Sequence, residues 1–150
     1  TEFIMIRESD VSPRMITPRS ARGEAGINTN SPTFSWEAVN AVPFYHIILS
    51  DQPFEVIKEE DGSTNTEGAN IIWQVITPET SIPYGTPDPS GYFTTISPPP
   101  LVNGVRYNWI VLNNFGNNPA LTSSVTSGPT GFEVGVPPPF DAPVVIRPSL

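Results

Sequence analysis

Leu101-Val-Asn-Gly-Val-Arg-Tyr-Asn-Trp-Ile-Val-Leu-Asn113 reads as a turn followed by a strand. Asn103-Gly104 supplies the turn, because these two residues accept backbone conformations that others resist. From Val105 onward the residues alternate. Val105, Tyr107, Trp109 and Val111 share one face, and Arg106, Asn108, Ile110 and Leu112 share the other, since strand side chains alternate with period two. Two large aromatics on one face anchor a core, so this segment is expected to be a central strand.

Working outward, similar short runs recur. Thr33–Val39 places Phe34, Trp36 and Ala38 on one side. Phe44–Ser50 aligns Tyr45, Ile47 and Leu49, and Ile71–Ile76 aligns Ile71, Trp73 and Val75. Thr130–Val136 aligns Phe132, Val134 and Val136. Shorter extended pieces are expected at Phe3–Arg7, Met15–Pro18, Thr80–Tyr84 and Pro143–Ile146, with an edge piece at Tyr92–Ile96. Asp51–Gly68 reads as an acidic, polar connection in which Phe54–Ile57 forms a turn of helix or an edge piece. Gly85–Pro100 holds too many prolines for a central strand, because each removes a ladder donor. No long helical periodicity is present. The expectation is an all-β, antiparallel sandwich of about seven strands with extended terminal strands.

Composition agrees. The chain has 150 residues, enough for one domain with a real core, and 19 prolines and 11 glycines imply many turns. Only 37% of residues are apolar, but 10% are aromatic, which favours a folded domain with polar loops over disorder. The net charge of −8 argues against nucleic acid, which needs a basic stripe, and the Lys and Arg residues gather mostly in the first quarter. The group Arg14, Arg19, Arg22 is read as solvated loop charge. With no cysteine, neither disulfides nor thiolate-held zinc are available. No signal peptide is visible, Phe3–Ile6 is far too short to span a bilayer, and the start at Thr1 fits a processed or excised chain.

Tests for catalytic chemistry fail one by one. The single histidine, His46, lies mid-strand on the face opposite Tyr45 and Ile47, where a structural or surface role is expected. One histidine excludes a multi-His metal site. Asp61-x-Ser63-x-Asn65-x-Glu67 spaces oxygen ligands as calcium loops do. It has Thr66 where the loop needs glycine and lacks the downstream bidentate glutamate, so a solvated acidic loop, together with Asp51, Glu55, Glu59 and Glu60, is the favoured reading. No phosphate-cradling glycine loop occurs. The expectation is a non-enzyme with no metal and no cofactor.

The residues from Met15 to Val136 resemble a fibronectin type III-like domain of the kind found in bacterial surface or secreted proteins. The resemblance rests on Pro32-Thr-Phe-Ser-Trp36, Tyr45, Leu101-x-x-Gly104-x-x-Tyr107, Tyr107-x-Trp109-x-Val111 and Phe132-x-Val134. It implies that Trp36 sits in the core near Tyr107 and that Tyr107 makes a tyrosine-corner hydrogen bond. The long connections Asp51–Gly68 and Gly85–Pro100 depart from the pattern. The implied organisation is an N-terminal strand and linker over residues 1–12, the sandwich over 13–136, and a Pro-rich extension over 137–150. Fold alone does not fix the role of such a scaffold.

Pro13-Arg-Met-Ile16-Thr-Pro18 and Pro143-Val-Val-Ile146-Arg-Pro148 share the form P-x-x-I-x-P, each downstream of a β-rich run. The chain therefore reads as beginning with the last strand of one unit and ending with the first strand of another, or the match is coincidental, since short Pro-flanked extended pieces are common. The leading expectation is an extracellular or cell-surface structural module. It would join other copies of itself, or adjacent similar domains, through Phe3, Ile4, Met5, Ile6, Val144, Val145 and Ile146, by strand addition to an open sheet edge or in a filament or array. The alternative is an adhesion or carbohydrate-binding module presenting Tyr84, Tyr92, Phe93 and Phe115 to a glycan.

Overall fold

The computed structural model of the chain describes residues 12–20, 26–60, 64–93, 98–116 and 128–135. The expected strand at Phe3–Arg7 and the extension at 137–150 lie outside these residues. Among the described residues there is no helix. The strands are β1 (Met15–Thr17), β2 (Thr33–Trp36), β3 (Phe44–Ser50), β4 (Glu55–Lys58), β5 (Thr64–Glu67), β6 (Ile71–Thr77), β7 (Ser81–Pro83), β8 (Arg106–Asn114) and β9 (Thr130–Glu133). They form three antiparallel sheets with orders β1-β2-β7, β6-β3-β8-β9 and β4-β5.

The first two sheets pack face to face in a β-sandwich-like arrangement, and aromatic rings fill the gap. Phe34 of β2 reaches across to Trp109 of β8, edge to face at 4.8 Å, and also meets Trp73 of β6 at 5.3 Å and Phe132 of β9 at 5.9 Å. Trp36 of β2 meets Tyr45 of β3 and Trp109. The inward residues of β3, Tyr45, Ile47 and Leu49, lie opposite Asn113, Val111 and Trp109 in the β8 register, as alternation requires. Burial of this set is close to complete.

Tyr107 closes the turn before β8. Its phenol oxygen accepts a 2.8 Å hydrogen bond from the Val102 N–H, five residues upstream, and its ring stacks on Phe132. Gly104, at φ 85°, gives the left-handed turn residue, and its N–H donates to the Val134 carbonyl. Trp36 is in the core, but its ring neighbours are Tyr45 and Trp109 rather than Tyr107, because Phe34 and Phe132 fill the space on the Tyr107 side.

Several elements differ from the sequence expectation. β2 stops at Trp36, because the next residues turn: Val39 donates its N–H to the Tyr45 phenol and Ala41 adopts φ 69°. Ile71 is 37% exposed at the start of β6. Both faces of β3 and of the C-terminal half of β8 are buried, so Ile48, Ile110 and Leu112 belong to the core as well. In the acidic connection after β3, the piece expected at Phe54–Ile57 as a turn of helix or an edge is the strand β4, and Glu55–Lys58 pairs with Thr64–Glu67 as a hairpin, which β-branched residues at Val56, Ile57 and Thr66 favour. Of the edge piece expected at Tyr92–Ile96, Tyr92 and Phe93 are not in a strand, and 94–96 lie outside the described residues.

Among the described residues, the chain itself supplies contacts at the edges of the two main sheets. Beside β9, Ile27 bridges to Val134, its N–H donating to Glu133 O and its carbonyl accepting from Gly135, while Ser20 donates its N–H to Gly131 O. Gly26 makes this approach possible, since a Cβ there would lie 2.1 Å from the Gly135 carbonyl oxygen. On β6, the outward Ile76 N–H donates to the Asp88 carboxylate at 2.9 Å. On β7, the bonds Tyr84 N–H to Pro32 O and Trp36 N–H to Thr80 O bracket a ladder in which Ser81 and Pro83 face outward. Pro83 has no N–H to offer, and its carbonyl already accepts from the Thr86 N–H and hydroxyl. β1 lies between Pro13 and Pro18, and its Met15 carbonyl accepts from Arg19.

Tyr107→Phe removes the phenol oxygen that accepts the Val102 N–H and is expected to cost about 1–2 kcal/mol with the fold retained. Urea unfolding measures this, with the m-value unchanged.

Candidate functional site

The aromatic candidates do not converge. Tyr84 is half-buried: its ring meets Trp73 edge to face at 5.2 Å, and its hydroxyl donates to the Pro99 carbonyl. Burial first, and then the neighbouring Tyr107 phenol, push its pKa up to about 12, so the hydroxyl stays protonated and available as a donor. Phe115, 40% exposed after β8, is in ring contact with none of the other three. Only Tyr92 and Phe93 are adjacent, edge to face at 5.3 Å, with Tyr92 53% exposed.

Phe93 is held down rather than presented. One of its faces stacks on His46 at 5.4 Å, with the planes 25° apart. His46 lies on the outer face of β3, where it is 4% exposed, and its Nε2 is 2.9 Å from Gln74 Oε1. Burial pulls the His46 pKa down to about 4, against the hydrogen bond to Gln74 and the charge of Asp88, which both raise it. The imidazole is therefore neutral at pH 7 and serves as packing.

Asp88 organises the segment that carries these rings. Its carboxylate accepts from the Ile76 N–H, from the Ser90 N–H and hydroxyl, and from the Phe93 N–H at 2.8 Å. Partial burial alone would raise its pKa, but these four donors outweigh it and hold the carboxyl below its ordinary value. Sequence reading did not single out Asp88, although Asp-Pro-Ser-Gly carries the side-chain-to-backbone turn chemistry that marks it.

At the β4–β5 hairpin, Asn65 donates to the carboxylates of Glu59 and Glu67. Asn65 and Glu67 lie on β5, and Asp61 and Ser63 of the calcium-like spacing lie outside the described residues. Among the described residues no group of three or more His, Cys, Asp or Glu side chains could hold a metal ion. Glu55 stands directly opposite Glu67 in the hairpin register. An open groove of about 550 Å³ runs beside them, lined by Pro53, Phe54, Ile57 and Gly68. The expected assembly residues Phe3, Ile4, Met5, Ile6, Val144, Val145 and Ile146 lie outside the described residues.

No protein-family model, curated protein or solved structure matches this chain. No helix among the described residues is long and apolar enough to cross a membrane.

The two titrating groups give distinct pH windows. A histidine whose folded pKa lies below its unfolded value takes up its proton more readily unfolded, so stability falls as pH drops from about 6.5 to about 4. The loss approaches about 3 kcal/mol over this range. Asp88, lowered on folding, contributes stability above its unfolded value of 3.8 that is lost only as pH falls through its lower folded value. Urea unfolding between pH 7 and 4.5 is expected to show a positive slope of stability with pH that is flattened in His46→Gln.

Proposed function

We propose that this chain is a non-enzymatic structural module with a fibronectin type III-like fold, which joins other copies of itself or adjacent similar domains through its terminal strands. The fold part of this reading is supported by strand order. With the β4–β5 hairpin set aside and the other strands lettered A to G in chain order, the sheets are A-B-E and D-C-F-G. Relative to the immunoglobulin constant arrangement, the fourth strand has moved to the sheet of C, F and G. The phenol of Tyr107 bonding back to Val102, with Trp109 two residues on, supports the same reading.

The observation that carries the structural role is the use made of the chemically capable groups. The only histidine is buried under Phe93, and Asp88 spends its carboxylate on holding backbone. The recurrence of P-x-x-I-x-P supports attachment to like units, since its first copy contains β1 between Pro13 and Pro18. An extracellular or cell-surface setting follows from the resemblance alone. Mechanically, an added strand would contribute backbone hydrogen bonds and bury apolar side chains at about 25 cal/mol per Å².

Deleting residues 1–12 is expected to leave a cooperatively folding domain that is monomeric by light scattering under conditions where the full chain associates. Unchanged oligomers in the truncated protein, or a full chain that stays monomeric at all concentrations, would overturn the proposal.

A further inference from the structure

We propose that the outer edge of β4 receives the segment Phe3–Arg7 of a second copy of this chain. This deepens the assembly reading above and rests on it. The argument begins with where a strand could add. The edge of β9 is occupied by Ser20 and Ile27, and the outward Ile76 N–H on β6 is taken by Asp88. β7 is blunted by Pro83, and β1 is confined between Pro13 and Pro18 with its Met15 carbonyl taken by Arg19. In the hairpin, the Thr66 carbonyl of β5 receives the Ala69 N–H. The far side of β4 pairs with no strand among the described residues. An unpaired strand edge of this kind is a template for another chain.

The side chains on β4 suit that segment. Strand alternation puts Glu55 and Ile57 on one face, beside Glu67 and Asn65 of β5, and Val56 on the other. Glu55 and Glu67 are like charges directly opposite one another, which destabilises a sheet pair, and no cation among the described side chains pairs with either. Ile57 is 39% exposed at the middle of this face and lines the groove together with Phe54. The segment Phe3-Ile4-Met5-Ile6-Arg7 alternates to match. Added antiparallel, with Arg7 facing Glu55, it sets Met5 beside Ile57, and Ile4 and Ile6 fall on the Val56 side. Arg7 then relieves the Glu55–Glu67 repulsion, while Met5 covers the exposed isoleucine.

The test is a charge exchange read by analytical ultracentrifugation of the full chain. Arg7→Glu and Glu55→Arg are each expected to weaken self-association about tenfold, and the double variant to restore it. Glu55→Arg faces Glu67, so it is compatible with the hairpin. Circular dichroism and urea unfolding of each variant confirm that the domain remains folded. If deletion of residues 1–12 abolishes association while both single variants associate as the parent does, the β4 docking is overturned and the assembly reading survives. If both single variants weaken association and the double variant does not recover, the Arg7–Glu55 pairing is overturned. A full chain that never associates overturns both readings.

Discussion

Phe34 holds the two sheets together. It lies on the middle strand of the three-stranded sheet and touches a ring on each of three strands of the other: Trp73, Trp109 and Phe132. Aromatic pairs at these separations are worth about 0.5–1.5 kcal/mol beyond the area they bury, and loss of such a phenylalanine costs about 3–5 kcal/mol. Trp109 is shared between Phe34 and Trp36, and its indole N–H donates to the Pro18 carbonyl at 2.9 Å. The inter-sheet core is thereby tied to the segment that leaves β1 and runs beside β9.

The second organising constraint is the need to close sheet edges. A sandwich built from strands of three to nine residues exposes much ladder relative to its core. This chain meets the problem with different local chemistry at each edge: close backbone approach at Gly26, a carboxylate at Asp88, and prolines at positions 13, 18 and 83. The Pro-rich segment after β7 has a defined place in this scheme. Its turn around Asp88 caps β6 and sets Phe93 over His46, so a histidine that could otherwise titrate near neutral pH becomes part of the outer packing layer of the four-stranded sheet.

Strands with strong alternation were legible in the sequence. Tyr45, Ile47, Leu49, Tyr107, Trp109 and Val111 lie on the inner face as period two requires, and the Leu101-x-x-Gly104-x-x-Tyr107 spacing places the phenol near Val102. What alternation could not reveal was burial of the opposite face. His46, Ile48, Ile110 and Leu112 read as an outer face from period two alone, yet they are covered, and a strand buried on both sides loses the polar positions that would identify its faces. Of the hairpin, only the first arm was legible, as the edge piece at Phe54–Ile57; the second arm was hidden because Glu59 and Glu67 suggested a solvated loop. Asp88 was hidden because its partners are mostly backbone donors, which no residue pattern displays.

Among the described residues, the edges of β9 and β6 take hydrogen bonds from the chain itself, whereas no strand pairs with the far side of β4. Native-state amide hydrogen exchange of the monomeric domain, resolved by residue, measures this directly. The slowest amides are expected in β3 and β8. The edge amides of Ile27 and Ile76 should be protected through their bonds to Glu133 and Asp88, and the β4 amides that do not pair with β5 should exchange rapidly. Rapid exchange at Ile27 and Ile76, or β4 amides as slow as those of β3, would contradict it.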